Sequence, residues 1–411
     1  MTADRFIPFR KQDIVNMCLQ EIEIQDSKVS FTQFCEILSS LIHYDYHNLL
    51  DNLKSNYAPF DPNSDTRLIK TFTPNERAKC QTAFAKDFAK VLDAANFEMI
   101  TEQDLKDALS EESLFKVRLE VEFEDFEQVV FYRRGESQLT DSISSFWGFR
   151  KQTIHFTNYD RVAVFITFKD KSYFDKKGKQ PVGFEPSSTI VKLFQNVPKA
   201  DLEMLFPNSE VKMRPIDKAI IGASAVVGGA VVLVTKLGAS LILLAALFAF
   251  WFGFRSETVE MTQRHFMSFA IGMGVFGGFI FKEWSKFKNR KIKFMKALSD
   301  NLYFKNLDNN AGVFHTLVDS AEEEDFKEAI LAYTFLLQEP HGLEASALDS
   351  KIEYWFKSKY QCELDFEISD ALSKLERMQL VVIKNNKYYA IKLDEAKKQL
   401  DSHWDNIFDY S

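Results

Sequence analysis

The sequence predicts an α+β membrane protein, and three observations support this fold class. Between Ala219 and Phe254 the only charged residue is Lys236, and this stretch exceeds the about 20 apolar residues with which a helix crosses a bilayer. Before this stretch, helical spacing of apolar residues gives way to two-residue alternation from Val117 onward. After it, helical spacing returns and ends in a short hairpin pattern.

These patterns divide the chain into five predicted parts. Residues 1–112 form an N-terminal helical region, and residues 113–215 a small, mainly antiparallel β region with a short linking helix. Residues 216–282 are the transmembrane region, which contains a helical hairpin. Residues 283–340 hold a basic juxtamembrane helix and a further helical region, and residues 341–411 form a winged-helix-like module.

The clearest helix start in the N-terminal region is at Thr73. Proline at position 74 and glutamate at position 76 follow it, which is the pattern of a capping box with proline in the first helical turn. An earlier helix is predicted from Phe31 to about Asn56, with Ser30 as its cap.

Alternation of apolar and charged residues predicts the strands of the β region. The first runs from Val117 to Phe123, and Asn158–Asp160 is predicted as a tight turn between two later strands. Ser172–Ser188 is predicted as an exposed loop. The later strands are predicted at Gln128–Arg134, Thr153–Thr157, Arg161–Phe168 and Thr189–Phe194.

The apolar region contains three segments, Ile216–Thr235, Leu237–Phe254 and Phe266–Phe281. The last would be about 24 Å long as a helix against a hydrocarbon core of about 30 Å, so we expect two full crossings and a third partial segment. Basic residues flank the region on both sides, which predicts a multi-pass protein with both termini in the cytoplasm.

Two sets of residues near these segments are candidate contacts. Six glycines permit close helix packing, within one chain or in a homo-oligomer: Gly222, Gly228, Gly229, Gly274, Gly277 and Gly278. A pore lined by these helices is the less favoured interpretation. Four basic residues share one helical face that could bind anionic lipid, but ordinary topological anchoring is the favoured explanation: Lys282, Lys286, Arg290 and Lys293.

Four stretches of the chain resemble a known family. They are RFIPFRKQDI at Arg5–Ile14, FEDFEQVVFYRRG at Phe123–Gly135, VKLFQNVPKADLEMLFPNSEVKMRPIDK at Val191–Lys218, and the long block that begins KFKNRKIKFMKALSDNLYFKNLDNNAG at Lys286. They are similar to the uncharacterised membrane proteins whose animal member is transmembrane protein 143, catalogued as domain of unknown function 3754. The resemblance implies a membrane protein of unknown activity and supplies no catalytic residues.

The resemblance also bears on localisation. Its first stretch begins at Arg5, and the N-terminus has no apolar or Arg-rich leader, so we expect no presequence and an inner-membrane protein of a prokaryote. In a eukaryote the corresponding location would be a mitochondrial membrane. The four cysteines show no CxxC spacing and predict reduced thiols.

The C-terminal part has the order helix, helix, hairpin. The helices are predicted at Leu348–Tyr360 and Phe366–Met378, and the hairpin turns at Asn385-Asn386. This order is typical of a winged helix. The acidic residues Glu367 and Asp370 on the second helix would oppose phosphate, so nucleic-acid binding is not expected.

Candidate catalytic or ligand-binding groups are few, and we predict no catalytic residue, cofactor or metal. His43, His47 and Asp51 have metal-compatible spacing but fit an exposed helix surface better. Arg133-Arg134-Gly135 could hold an anion, yet a solvated hairpin end is favoured. The acidic run 322–325 is predicted as the first turn of a helix, with a metal cluster as the alternative.

Two classes of function remain from the sequence. The favoured one is a membrane-anchored scaffold or regulatory protein with cytoplasmic domains, bound to the lipid bilayer and to an unidentified soluble partner. The alternative is an oligomeric channel, transporter or lipid-handling membrane protein. An enzyme is the least favoured, because neither a GxSxG motif nor a phosphate-binding glycine loop occurs.

Overall fold

The structure, a computed structural model, describes residues 4–22, 25–101, 103–105, 108, 118–145, 150–178, 183–212, 215–252, 254 and 262–408. It divides into two compact units. The main unit comprises Met1–Glu111, Phe123–Leu202 and Lys305–Ser411, and the inserted unit comprises Glu112–Glu122 and Glu203–Phe304.

The helices of the described residues have the following bounds. They are α1 Lys11–Glu21, α2 Gln25–Tyr57, α3 Pro74–Ala94, α4 Lys171–Lys177, α5 Pro215–Val232, α6 Gly238–Trp251, α7 Gln263–Lys305, α8 Ala311–Leu337, α9 Ala345–Tyr360, α10 Ile368–Arg377 and α11 Leu393–Asp405. A π-helical turn, Leu233–Leu237, separates α5 from α6, and short 3₁₀ turns occupy Phe123–Asp125 and Lys199–Leu205.

The strands form one larger sheet and two pairs. They are β1 Glu98–Met99, β2 Arg118–Glu120, β3 Phe126–Ser145, β4 Arg150–Phe168, β5 Thr189–Pro198, β6 Glu210–Lys212, β7 Asn306–Asn309, β8 Val381–Lys384 and β9 Lys387–Ala390. The larger sheet is antiparallel with the order β1-β3-β4-β5-β7, and β2-β6 and β8-β9 form the pairs.

Strand β7 adds the chain that follows the inserted unit to the sheet of the main unit. Leu193 of β5 pairs with Asp308 of β7, which follows α7 directly. The segment from Tyr303 to Gly312, whose polar residues suggest a loop, therefore contains the end of a helix, a strand and the start of α8. Because β5 precedes the inserted unit and β7 follows it, the sheet joins the chain segments on either side of that unit.

Helix α8 is the centre of the core. It is buried along most of its length, and α1, α2, α3 and α10 pack against it. Aromatic rings fill the contact with α3 and the sheet, since Phe314 lies 5.3 Å from Phe84 and Phe84 lies 5.8 Å from Phe165 between ring centroids. Burying a side chain of this size stabilises the fold by about 2–3 kcal/mol.

The predicted start of α3 is confirmed. The Thr73 side chain accepts a hydrogen bond from the Glu76 amide at 3.3 Å, and Glu76 Oε2 accepts one from the Thr73 amide at 2.9 Å. Pro74 occupies the first turn, where its missing N–H costs nothing.

The predicted fold class, a membrane protein with a transmembrane helical hairpin and two crossings, is wrong. Among the described residues one helix, Gln263–Lys286 within α7, is long and apolar enough to cross a membrane. This helix contains Phe266–Phe281, the segment predicted to be partial. The two segments predicted as full crossings, Ile216–Thr235 and Leu237–Phe254, are interrupted: α5 ends at Val232, the π turn follows, and α6 has 14 residues. The described structure is α+β with a small antiparallel sheet.

Two predictions for the β region are also wrong. Asn158–Asp160 is not a turn, because β4 runs through it without a break and pairs with β3 on both sides of Gly135, which has φ +72°. The start of the predicted Ser172–Ser188 loop is α4. Asp170 caps this helix by accepting from the Tyr173 amide, and Gly178 ends it in the left-handed conformation.

Replacement of Gly135 by alanine should destabilise the protein more than replacement of Gly178. Both glycines have positive φ, which costs an alanine about 1–2 kcal/mol. At Gly135 the new Cβ would also lie 2.5 Å from Asp160 Oδ2 and 2.8 Å from Asp160 Cβ, so carboxylate rotation alone cannot relieve the contact; at Gly178 nothing lies within 4 Å. Urea unfolding of the detergent-solubilised chain measures the difference, and equal losses would contradict this account.

Candidate functional site

The main unit contains a group of charged side chains inside its core, which we call the buried charge cluster. It consists of Glu324, Asp325, Lys327 and Glu328 of α8 and Lys374 of α10. Glu324 and Lys327 are each 1% exposed, and Glu328 is 2% exposed. Charges are almost never buried to this degree unless they are paired, because the loss of hydration costs several kcal/mol per ion.

One half of the cluster joins α8 to α10. Asp325 and Glu328 are three residues apart, so they share a helical face. Lys374 Nζ lies between them, 2.6 Å from Asp325 Oδ1 and 2.8 Å from Glu328 Oε2. The Tyr46 hydroxyl of α2 donates to Asp325 Oδ2 at 2.7 Å, so the same carboxylate also connects α2 to α8.

The other half of the cluster holds the N-terminal segment. Glu324 Oε1 lies 2.5 Å from Lys327 Nζ, and Glu324 Oε2 accepts from the Ile7 amide at 3.0 Å. Lys327 donates to the backbone carbonyls of Ile7 and Phe9, each at 3.1 Å. The cluster thus satisfies backbone groups of a segment that runs without regular structure before α1.

Asn96, just after α3, bridges the two halves. Its side-chain amide is within 3.2 Å of Glu324 Oε2 and 3.3 Å of Glu328 Oε1, and it also donates to the Arg5 carbonyl at 3.3 Å. Asn96 has φ +59°, a conformation that asparagine tolerates better than most residues. Five parts of the main unit therefore meet at one polar centre: the N-terminal segment, the residue after α3, and helices α2, α8 and α10.

The electrostatics of the cluster follow from three carboxylates facing two ammonium groups. Burial raises the pKa of Glu328 to about 7, although Lys374 opposes this effect. Burial likewise raises the pKa of Asp325. Burial alone would lower the pKa of Lys374, but the carboxylates of Glu328 and Asp325 outweigh it and raise that pKa.

A cavity of about 100 Å³ lies beside the cluster, around Arg133 and Arg134. The predicted hairpin end at Arg133-Arg134-Gly135 is wrong, because all three residues lie inside β3. Arg133 pairs with Glu98 at 3.1 Å and with Glu136. Arg134 lies over the rings of Phe6 and Phe97 and donates to the Ala95 carbonyl, and burial lowers its pKa. Both guanidinium groups thus hold neighbouring segments of the protein.

The other candidate ligands predicted in the main unit, the histidines of α2 and the acidic run 322–325, do not form a metal site among the described residues. His43 Nδ1 is 2.8 Å from Glu322 Oε2, and His47 Nε2 is 3.6 Å from Asp51 Oδ2. Over the ranges that the structure describes, no group of three or more His, Cys, Asp or Glu residues could hold a metal ion. The acidic run 322–325 is not a first helical turn, because α8 begins eleven residues earlier, at Ala311.

The buried charge cluster is not among the predicted sites, although the sequence contains a signal for it. From Ala321 the helix reads AEEEDFKEAILAYTFLL, with charged residues at every helical angle followed by an apolar run. A helix with polar groups on all faces inside a core-forming sequence needs internal partners. The partners, Ile7, Asn96 and Lys374, are far away in the chain, so spacing could not identify them.

In the inserted unit, the basic residues from Lys282 to Lys296 whose side chains the structure describes are exposed. Lys286 pairs with Glu283 at 2.5 Å, and the Lys288 ammonium lies 4.1 Å from the centre of the Trp284 ring. Lys282 and Lys293 are exposed. The side chain of Arg290 lies outside the described residues, so its predicted place on the same face is a prediction only.

The predicted packing glycines have unequal surroundings. A Cβ added at Gly228 of α5 would lie 2.9 Å from the Phe279 ring of α7, and one at Gly229 would lie 3.6 Å from it. At Gly222, Gly274, Gly277 and Gly278 nothing lies within 4 Å. The side chain of Lys236 is not described, and the role of the glycines in oligomer formation stays a prediction.

The C-terminal elements occur in the predicted order, α9, α10, then the hairpin β8-β9. Helix α10 packs on α8 with Ala371, Leu372 and Leu375 buried, and Lys374 belongs to the buried charge cluster. One side of this helix is therefore committed to the core of the main unit.

Residues 159–312 match the family model described as Protein of unknown function (DUF3754). The matched residues run from β4 through the inserted unit to the first residues of α8. The narrower resemblance to transmembrane protein 143 stays a prediction. No solved structure matches the chain.

Between pH 5.5 and 8 the stability of the protein should fall by about 2 kcal/mol through Glu328. Its pKa is raised in the folded state to about 7 from 4.5, so the folded protein binds the proton more tightly and loses this stabilisation as the pH rises through 7. Glu328→Gln should remove most of the slope in urea unfolding. Glu36→Gln, at an exposed position of α2, is the control and should leave it unchanged. A Glu328→Gln slope equal to that of the unaltered chain would contradict the assignment.

Proposed function

We propose, from the premise that residues 159–312 belong to a protein family of unknown function, that this chain is a membrane-anchored scaffold or regulatory protein. Its anchor is the apolar part of α7, and its working part is the main unit. In this proposal α7 and its basic end contact the bilayer, and the main unit binds a soluble protein partner.

The observation that carries the proposal is the exposure of Gln263–Lys286. Only 6% of its most apolar window is buried, and the exposed side chains include Phe266, Met267, Ile271, Val275, Ile280 and Phe281. An exposed apolar surface of this extent marks an interaction site or a membrane. Twenty-four helical residues span about 36 Å, against about 30 Å for the hydrocarbon core, so lipid is a fitting environment.

The construction of the main unit supports the proposed orientation. Segments before and after the inserted unit pair in one sheet, through β5 and β7, and pack in one core around α8. A folded unit cannot be divided by a bilayer, so both segments lie on the same side of any membrane, and in this proposal the inserted unit enters and leaves the bilayer on that side. The cluster of lysines that follows Phe281 favours the cytoplasmic side. We propose the inner membrane of a prokaryote, or a mitochondrial membrane in a eukaryote.

The buried charge cluster supports a scaffold rather than a loosely tethered set of modules. It connects the N-terminal segment, α2, α8 and α10 through ion pairs and hydrogen bonds that lie out of solvent. Breaking such a buried pair costs about 3–5 kcal/mol, so these parts move together. A rigid unit held at the bilayer presents fixed surfaces to a partner.

Membrane attachment should depend on the apolar character of α7. The double variant Ile271→Arg/Val275→Arg should lose most of its flotation with phosphatidylcholine vesicles after detergent removal, since each arginine costs about 2.5–3.5 kcal/mol at the centre of an inserted helix. Zwitterionic vesicles exclude any contribution from lipid charge. The control is Val29→Arg, at an exposed apolar position of α2 in the main unit, which should float like the unaltered chain. Undiminished flotation of the double variant would refute anchoring by α7.

The scaffold proposal also predicts that the reconstituted chain moves no solute. Vesicles containing the protein should release a trapped ion and exchange a labelled phospholipid between leaflets no faster than empty vesicles. Ion release or lipid exchange that Gly277→Leu or Gly278→Leu abolishes would replace the scaffold by a transport or lipid-handling function.

A further inference from the structure

We infer that Lys282, Lys286 and Lys288, grouped around Trp284, bind the phosphate groups of anionic phospholipids where α7 leaves the hydrocarbon core. We call these four residues the lysine collar. The inference rests on the proposed membrane attachment and specifies its lipid.

Charge is concentrated where the collar begins. Between Lys282 and Lys296 the sequence has seven basic residues and one acidic residue, whereas the whole chain carries a formal charge of -8. The nearest partner for this charge within the described segment is Glu283, which engages Lys286. A locally cationic helix on an acidic protein is complementary to an anionic surface.

The collar surrounds the helix instead of lying on one face. At about 100° per residue, Lys282 and Lys286 are about 40° apart, and Lys288 is about 120° from Lys282 on the other side. A helix that lies flat on a membrane has its cations on one face. Cations on more than one side fit a helix that passes through the head groups along its axis.

Trp284 indicates that the part of α7 carrying the lysine collar lies at the membrane interface. Its ring is 51% exposed, and the Lys288 ammonium lies 4.1 Å from the ring centre. Tryptophan is enriched at membrane interfaces because its ring is apolar and its indole N–H is polar. The contact holds the ammonium of Lys288 beside the ring, at the depth where lipid phosphates lie.

Distances along the axis separate the collar from the later lysines. The axial distance from Lys282 to Lys288 is about 9 Å, which is similar to the thickness of one head-group layer, about 5–8 Å. Lys293 and Lys296 lie about 16 and 21 Å beyond Lys282. Since charges are screened over about 8–10 Å at physiological salt, these two should contribute little to head-group binding.

The test compares two variants with the same change of charge. Lys282→Gln/Lys288→Gln alters the collar, and Lys293→Gln/Lys296→Gln alters the distal pair. Binding of phosphatidylglycerol and of phosphatidylcholine to the purified full chain in neutral detergent micelles is measured at 0.15 M salt. The unaltered chain should prefer phosphatidylglycerol at least tenfold. The collar variant should bind it about 30-fold more weakly, and the distal variant should stay within threefold.

Each other outcome overturns the inference. Equal losses in the two variants would mean a diffuse electrostatic attraction, and an unaltered chain without preference would mean no anionic site. Full competition by millimolar inorganic phosphate would mean a site for a free anion. Flotation with pure phosphatidylcholine vesicles is measured in parallel. If the chain floats but shows no lipid preference, only the collar fails; if it does not float, the membrane attachment itself fails.

Discussion

The ion pairs inside the main unit are the constraint on which the rest of the structure depends. Glu324 and Lys327 hold the backbone of Ile7, while Lys374 neutralises Asp325 and Glu328 on the next faces of α8. Because these groups are out of water, each is tolerated only while its partner is present. A chain segment that begins near residue 4 and a helix that ends at residue 377 are thereby obliged to fold together.

This closure limits how the inserted unit can enter a bilayer under the proposed membrane attachment. The sheet brings β5 and β7 side by side although the inserted unit separates them in the chain, and α8 then carries the buried charge cluster. The main unit is one body in spite of the insertion, so under the proposed membrane attachment it stays on one side and the inserted unit enters and leaves the bilayer on that side. The exposed apolar part of α7 and the proposed lysine collar are then the features suited to lipid, and the proposed attachment would reach the core through the covalent link from Lys305 into β7.

Sequence reasoning succeeded where the cause was local. Thr73, Pro74 and Glu76 determine a helix start within one turn. The apolar run after Gln263 was predicted to be only a partial segment, whereas in the structure it belongs to a candidate span of 24 residues, Gln263–Lys286. Sequence reasoning failed where distant contacts decide. Asn158–Asp160 has the composition of a turn, but pairing with β3 and β5 on both sides keeps it extended. Ile216–Phe254 has the composition of membrane helices, yet a π turn at Leu233–Leu237 interrupts it. The buried charge cluster was beyond prediction, because its partners come from residues 7, 96 and 374.

The most direct test of the account is labelling by a membrane-impermeant maleimide in sealed vesicles that contain the full chain. In a background with Cys80 and Cys362 changed to serine, single cysteines replace Val29, Val382 or Val275, all of which are exposed in the structure. The account predicts that Val29→Cys and Val382→Cys, which flank the inserted unit in the chain, react from the same face, and that Val275→Cys is protected from both. Reaction of the first two from opposite faces, or ready reaction of Val275→Cys, would contradict it.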